Sequence, residues 1–130
     1  MDAVQRILDR DARIAYALRF GSSARRTAHA GSDVDIAIGL EPGTSLTTRD
    51  IGALVSDLEQ ASGRSVDVVM LDEAPAAVAY RVFRDGAVLM ERNHRAMADR
   101  KARAILDYLD FRPLEALAVK GALAAAARGR

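Results

Sequence analysis

Residues 20–39, FGSSARRTAHAGSDVDIAIG, decide how this chain is read. Gly21-Ser22 is followed, after ten intervening residues, by Asp33-Val34-Asp35. The apolar run before the turn, Ile14 to Phe20 (IAYALRF), has the composition of a strand. Gly21 carries no Cβ, so the chain can turn sharply and approach a ligand closely. Ser22 adds a hydroxyl that can cap a following helix, and residues 23–30 (SARRTAHA) read as that helix. Helix N-termini bind anions through free N–H groups and the helix dipole. A triphosphate suits such a turn.

Residues 33–40 (DVDIAIGL) read as a second strand. Strand side chains alternate, so Asp33 and Asp35 project from one face, roughly 6–7 Å apart, while Val34 and Ile36 point into a core. Neighbouring carboxylates repel unless a cation lies between them. Hard oxygen ligands on a rigid strand suit Mg²⁺, which is commonly held by one or two carboxylates together with substrate phosphates. A lone Asp-x-Asp is usually a solvated strand start, and a lone Gly-Ser is usually a loop. Strand, turn, helix and carboxylate strand in this order are far more specific.

Around this stretch the chain alternates helices and strands. Residues 2–12 form a helix, with Val4, Ile7, Leu8 and Ala12 at helical spacing. Thr47 or Thr48 opens a helix to about Ala61, closed by Gly63 as a C-cap. Ser65 to Leu71 (SVDVVML) is a strand with Asp67 in its middle. Asp72 opens another helix to about Arg84. Residues 87–92 (AVLMER) are a short edge strand. A long helix covers about 93–110, and Pro113 breaks it and starts a final helix. Tyr80, Tyr108 and Phe111 read as packing residues. The fold class is therefore α/β (α+β), a small mixed sheet flanked by helices. The 130 residues read as one domain, with a core over about 1–92 and a C-terminal helical extension over about 93–130.

A charge inside so apolar a strand as SVDVVML is rarely buried unpaired. Asp67 either faces solvent or an Arg, or it shares a face with Asp33 and Asp35. Composition narrows the partners. A net charge of +1 offers no strongly basic surface for nucleic acid. The absence of cysteine excludes disulfides and thiolate metal sites and fits a cytoplasmic setting. The charged N-terminus MDAVQRILDRD is no signal peptide, and no apolar run reaches the ~20 residues of a membrane span.

Gly21-Ser22, the ten-residue spacing and Asp33-x-Asp35 together resemble the signature of the DNA polymerase β-like nucleotidyltransferases. Ala24, Arg25, Ala28 and Ser32-Asp33 are similar to the minimal nucleotidyltransferase branch, the MntA-type antitoxins of HEPN/MNT toxin–antitoxin pairs. Arg26 stands where that branch usually has Gly. The resemblance runs from the first helix to about Pro113. It implies the nucleotidyltransferase fold and two Mg²⁺ ions held by Asp33, Asp35 and Asp67. Asp67 would be the third carboxylate, acting as general base or as a ligand of the second ion. Gly21, Ser22 and Arg25 would bind the nucleotide.

The same resemblance implies a reaction and a partner. AMP from ATP would pass to a tyrosine of a cognate HEPN ribonuclease toxin. A chain this short leaves little room for an acceptor domain of its own, which agrees with borrowing an acceptor from another protein. Two readings compete: a small-molecule, antibiotic-type nucleotidyltransferase, and an antitoxin that neutralises by binding without catalysis.

Overall fold

The computed structural model describes residues 1–21 and 33–116, with side chains through residue 110. The expected helix over 23–30, and with it Ser22, Arg25 and Arg26, lies outside the described residues. The elements are α1 (Ala3–Arg10), β1 (Ile14–Phe20), β2 (Val34–Leu40), α2 (Thr48–Ser62), β3 (Val66–Met70), α3 (Ala76–Asp85), β4 (Ala87–Glu91) and α4 (His94–Ala116). The strands form one sheet in the order β3-β2-β1-β4. It is mixed: β1 is antiparallel to both β2 and β4, whereas β2 and β3 run parallel through the α2 crossover.

Period-two alternation on β2 builds the two faces. Val34, Ile36 and Ile38 pack with Leu8 of α1 and with Leu54 and Leu58 of α2. Ala37 turns the other way, joining Tyr16 and Leu18 of β1, Ala79, Val82 and Phe83 of α3, and Ala104 of α4. Asp35, between Ile36 and Val34, belongs to this second face.

Local chemistry sets the helix ends. Asp2 caps α1 by accepting from the Gln5 N–H at 2.8 Å, and the Gln5 side chain accepts from the Asp2 N–H in return. Thr47 and Asp50 form the same reciprocal pair at the start of α2. Gly63 closes α2 at φ +70°, in the left-handed region that glycine enters freely. On the second face Arg100, nearly buried, donates from Nε and Nη2 to the Leu71 carbonyl at 3.2 and 2.9 Å, fastening α4 to the end of β3. Tyr80 and Tyr108 stack with ring centroids 4.1 Å apart, and the Arg84 guanidinium lies 5.6 Å from the Tyr80 ring centre. These contacts join α3 to α4 and match the packing role expected of both tyrosines.

Two helix expectations need correction. Asp72 does not open α3. Leu71–Glu73 form a short 3₁₀ turn, and the helix begins at Ala76 after Pro75. Ala74 is extended (φ −74°, ψ 144°), as a residue before proline prefers, so helix cannot run continuously from Asp72. Pro113 does not break the long helix either: α4 continues through it to Ala116. The fixed φ of proline is itself helical, and what it removes is one bond to the carbonyl four residues back. That carbonyl belongs to Leu109, which is 47% exposed, so water can take the place of the missing donor. Among the described residues no helix is long and apolar enough to cross a membrane.

Gly39 packs directly against the Tyr16 ring. A Cβ there would lie 1.9 Å from Cζ of the buried Tyr16 ring. Gly52, inside α2, has nothing within 4 Å of a built Cβ. Gly39→Ala should therefore destabilise the protein by about 2 kcal/mol or more through overpacking. Gly52→Ala should stabilise it by roughly 0.5–1 kcal/mol through helix propensity. Urea unfolding of both variants against the parent checks the pair of opposite signs.

Candidate functional site

The parallel pairing of β2 and β3 sets Val34 beside Val66 and Asp35 beside Asp67. Laterally paired residues of a sheet project to the same face, on strands about 4.8 Å apart. Asp35 and Asp67 are thus side by side at one end of the sheet. Asp33 stands two residues before Asp35, exposed, just outside the strand. On the other flank of Asp35 the lateral neighbour is Phe20, the last residue of β1. The chain leaves β1 through Gly21 at φ +76°.

Gly21 is in intimate contact with this centre. A Cβ built on it would lie 2.5 Å from the Asp35 Oδ2. Any side chain at this position would both strain a left-handed backbone and displace the carboxylate. The sequence reading has the Gly21 turn approaching a ligand. What comes close to the Gly21 backbone is the carboxylate of Asp35.

The electrostatics report the same proximity. The Asp35 carboxyl titrates above the ordinary carboxylate range, chiefly because burial disfavours its charge. The negative charges of Asp67 and then Asp33 push it further. Among the described residues, no Arg or Lys forms an ion pair with any of the three. Clustered carboxylates are what a divalent cation relieves. The three do not form a ready-made cage, since among the described residues no three His, Cys, Asp or Glu side chains already converge as metal ligands. The arrangement fits Mg²⁺ of the kind completed by water and substrate phosphates, where protein supplies only one or two carboxylates.

Of the residues expected to form the site, Gly21, Asp33, Asp35 and Asp67 come together. Ser22 and Arg25 lie outside the described residues. Glu59 was not marked from the sequence. Its Oε2 accepts the Val66 N–H at 3.0 Å, one residue before Asp67. The only signal for it in the sequence is its position four residues before the Gly63 cap.

The family described as polymerase beta, nucleotidyltransferase matches residues 2–95. The chain belongs to the polymerase β nucleotidyltransferase family. It is a nucleotidyltransferase, and the matched span holds Gly21, Asp33, Asp35 and Asp67. Solved structures share its fold. One is a toxin–antitoxin structure with AMP-PNP, with a TM-score of 0.77 and 21% identity, covering 93% of this chain and 96% of that one. Another is the tri-AMPylated HEPN toxin of Shewanella oneidensis in complex with its MNT antitoxin. It has a TM-score of 0.68 and 19% identity, with 91% of both chains covered. A third, a minimal nucleotidyltransferase, is 28% identical over 67% of this chain and 95% of its own, with a TM-score of 0.54. No curated protein matches the sequence.

The raised Asp35 carboxyl has a sign that can be checked. A folded value above the unfolded one means that ionising Asp35 opposes folding. That penalty is absent below the usual carboxylate range and complete above the raised folded value. Asp35→Asn should therefore raise the melting temperature of the metal-free protein at pH 7, and the gain should vanish as pH falls through the carboxylate range. Melting curves at pH 7 and pH 4 in EDTA test this.

Proposed function

We propose that this nucleotidyltransferase is the antitoxin of a HEPN/MNT pair, transferring AMP from ATP to a tyrosine of its cognate HEPN toxin in the cytoplasm. The observation that carries the reading is the lateral pairing of Asp35 with Asp67 beside the positive-φ turn at Gly21. The architecture supports it, because the chain is spanned almost end to end by antitoxin folds of toxin–antitoxin complexes.

In this reading Asp33, Asp35 and Asp67 hold Mg²⁺. Bound there, the metal supplies charge neutralisation for the triphosphate and lowers the pKa of the attacking hydroxyl. Gly21 leaves room for Asp35, and Ser22 and Arg25 are assigned to the phosphates. The tyrosine oxygen forms a bond to the α-phosphorus as the bond from that phosphorus to the β-phosphate oxygen breaks. Pyrophosphate leaves with the electron pair. The phenolic proton passes to Asp67, which is exposed to an incoming acceptor while Asp35 is half-buried. An in-line geometry needs the acceptor and the pyrophosphate on opposite sides of phosphorus, and this reading assigns the acceptor to the Asp67 side.

Incubating the protein with ATP, Mg²⁺ and the cognate HEPN chain should add the mass of AMP to a tyrosine-containing peptide of that chain. Asp33→Ala/Asp35→Ala should abolish the increment, and Asp67→Asn should reduce the rate by at least about 10²-fold. Intact-mass spectrometry and peptide mapping read both. A double variant that still modifies the partner contradicts the metal assignment. Protection of cells with no mass change supports neutralisation by binding alone. AMP transfer to an aminoglycoside instead supports the small-molecule reading.

A further inference from the structure

β3 carries Asp67, yet among the described residues it is the edge of the sheet, paired with β2 on one side only. At its start the two backbone directions are easily assigned. The Ser65 carbonyl accepts the Val34 N–H at 2.8 Å, binding β3 to β2. The next amide, Val66 N–H, donates to the Glu59 Oε2 of α2 at 3.0 Å. A side-chain carboxylate thus takes the place that a further strand would fill, at the residue immediately before Asp67.

The route from α2 to β3 makes that reach possible. The Glu59 carbonyl accepts the Gly63 N–H at 2.8 Å, and Gly63 reverses the chain at φ +70°. The Ser62 Oγ accepts the Arg64 N–H at 3.2 Å and faces the Arg64 carbonyl at 3.3 Å. Three residues, 63–65, therefore carry the chain from helix to strand under continuous hydrogen bonding, and the Glu59 bond closes the last link. Glu59 is half-buried, so its bond to the amide competes less with water than a surface bond does. Hydrogen bonds that accept at an ionised carboxylate are the stronger kind.

We propose that Glu59 is a positioning residue for the carboxylate site: by anchoring the Val66 amide it fixes the register and depth of Asp67 beside Asp35. The inference rests on the proposed role of those carboxylates, but the anchoring itself is independent of any nucleotide or partner. The Glu59 side chain accepts the Val66 N–H. It acts through one backbone bond on the side of β3 facing away from β2, and so adds to the ladder that already pairs Asp67 with Asp35.

The test uses the full chain, with Glu59→Ala to delete the acceptor and Glu59→Gln to keep one. Amide hydrogen exchange by NMR is read without metal or nucleotide. The Val66 and Asp67 amides should be protected in the parent, lose protection by about tenfold in Glu59→Ala, and recover most of it in Glu59→Gln. Mn²⁺ affinity, read by electron paramagnetic resonance with AMP-PNP present, should weaken by roughly tenfold in Glu59→Ala and return with Glu59→Gln. Asp35→Ala should abolish the Mn²⁺ binding and leave exchange at Val66 unchanged. A parent protein whose Val66 amide exchanges as fast as an open edge amide overturns the inference, even where Glu59→Ala fails to fold. So does a folded Glu59→Ala variant with parental Asp67 protection and parental Mn²⁺ affinity. A failure of AMP transfer to any toxin bears on the proposed function and leaves these readouts intact.

Discussion

The parallel pairing of β2 with β3 places two carboxylates, Asp35 and Asp67, on neighbouring strands and the same face. In a metal-free protein that pairing is unfavourable, because burial and like charge together raise the Asp35 carboxyl. The fold holds it in place from both sides. On one face Val34, Ile36 and Ile38 are sealed under α1 and α2. On the other, Ala37 lies under α3 and α4 while Asp35 sits at the open end of the same face. Packing energy spread over the whole core sustains a local electrostatic conflict, and a bound divalent cation would relieve it. Strain of this kind is common where a site is arranged for a ligand.

Three features serve the same pair. Gly21 removes a side chain where one would strike the Asp35 oxygen. The α2 crossover delivers β3 in parallel, and the short 63–65 connection ends in the Glu59 bond to Val66. Arg100 fastens α4 to Leu71, four residues beyond Asp67, so both ends of β3 are tied to helices. The site is thus built on strands and braced by helices, which suits a reaction whose catalysis rests on positioning and charge.

Much of this was legible in the sequence. The run Ile14–Phe20 coincides with β1, and the alternation in DVDIAIGL gives β2 apart from Asp33, which stands just before it. Gly63 caps α2 as its position suggests. Asp67 stood out because charge is rare in so apolar a strand. What the sequence could not show was the register, since sliding β3 by two residues would keep Val66 and Val68 on the core face while moving Asp67 away from Asp35. Glu59 was invisible for a related reason, because a glutamate near the end of an amphipathic helix looks like any solvated side chain until the following strand is in place. The errors at Asp72 and Pro113 came from proline. Its influence on Ala74 delayed α3 to Ala76, and its tolerance within a helix let α4 continue to Ala116.

The proposed function requires Asp33, Asp35 and Asp67 to act as one metal-binding unit. A titration of Mg²⁺ into the protein with AMP-PNP, followed by ¹³C NMR of the aspartate side-chain carboxyls, tests it most directly. The three resonances should shift together on a single binding curve. Asp33 and Asp35 shifting while Asp67 stays unmoved at saturation would contradict it.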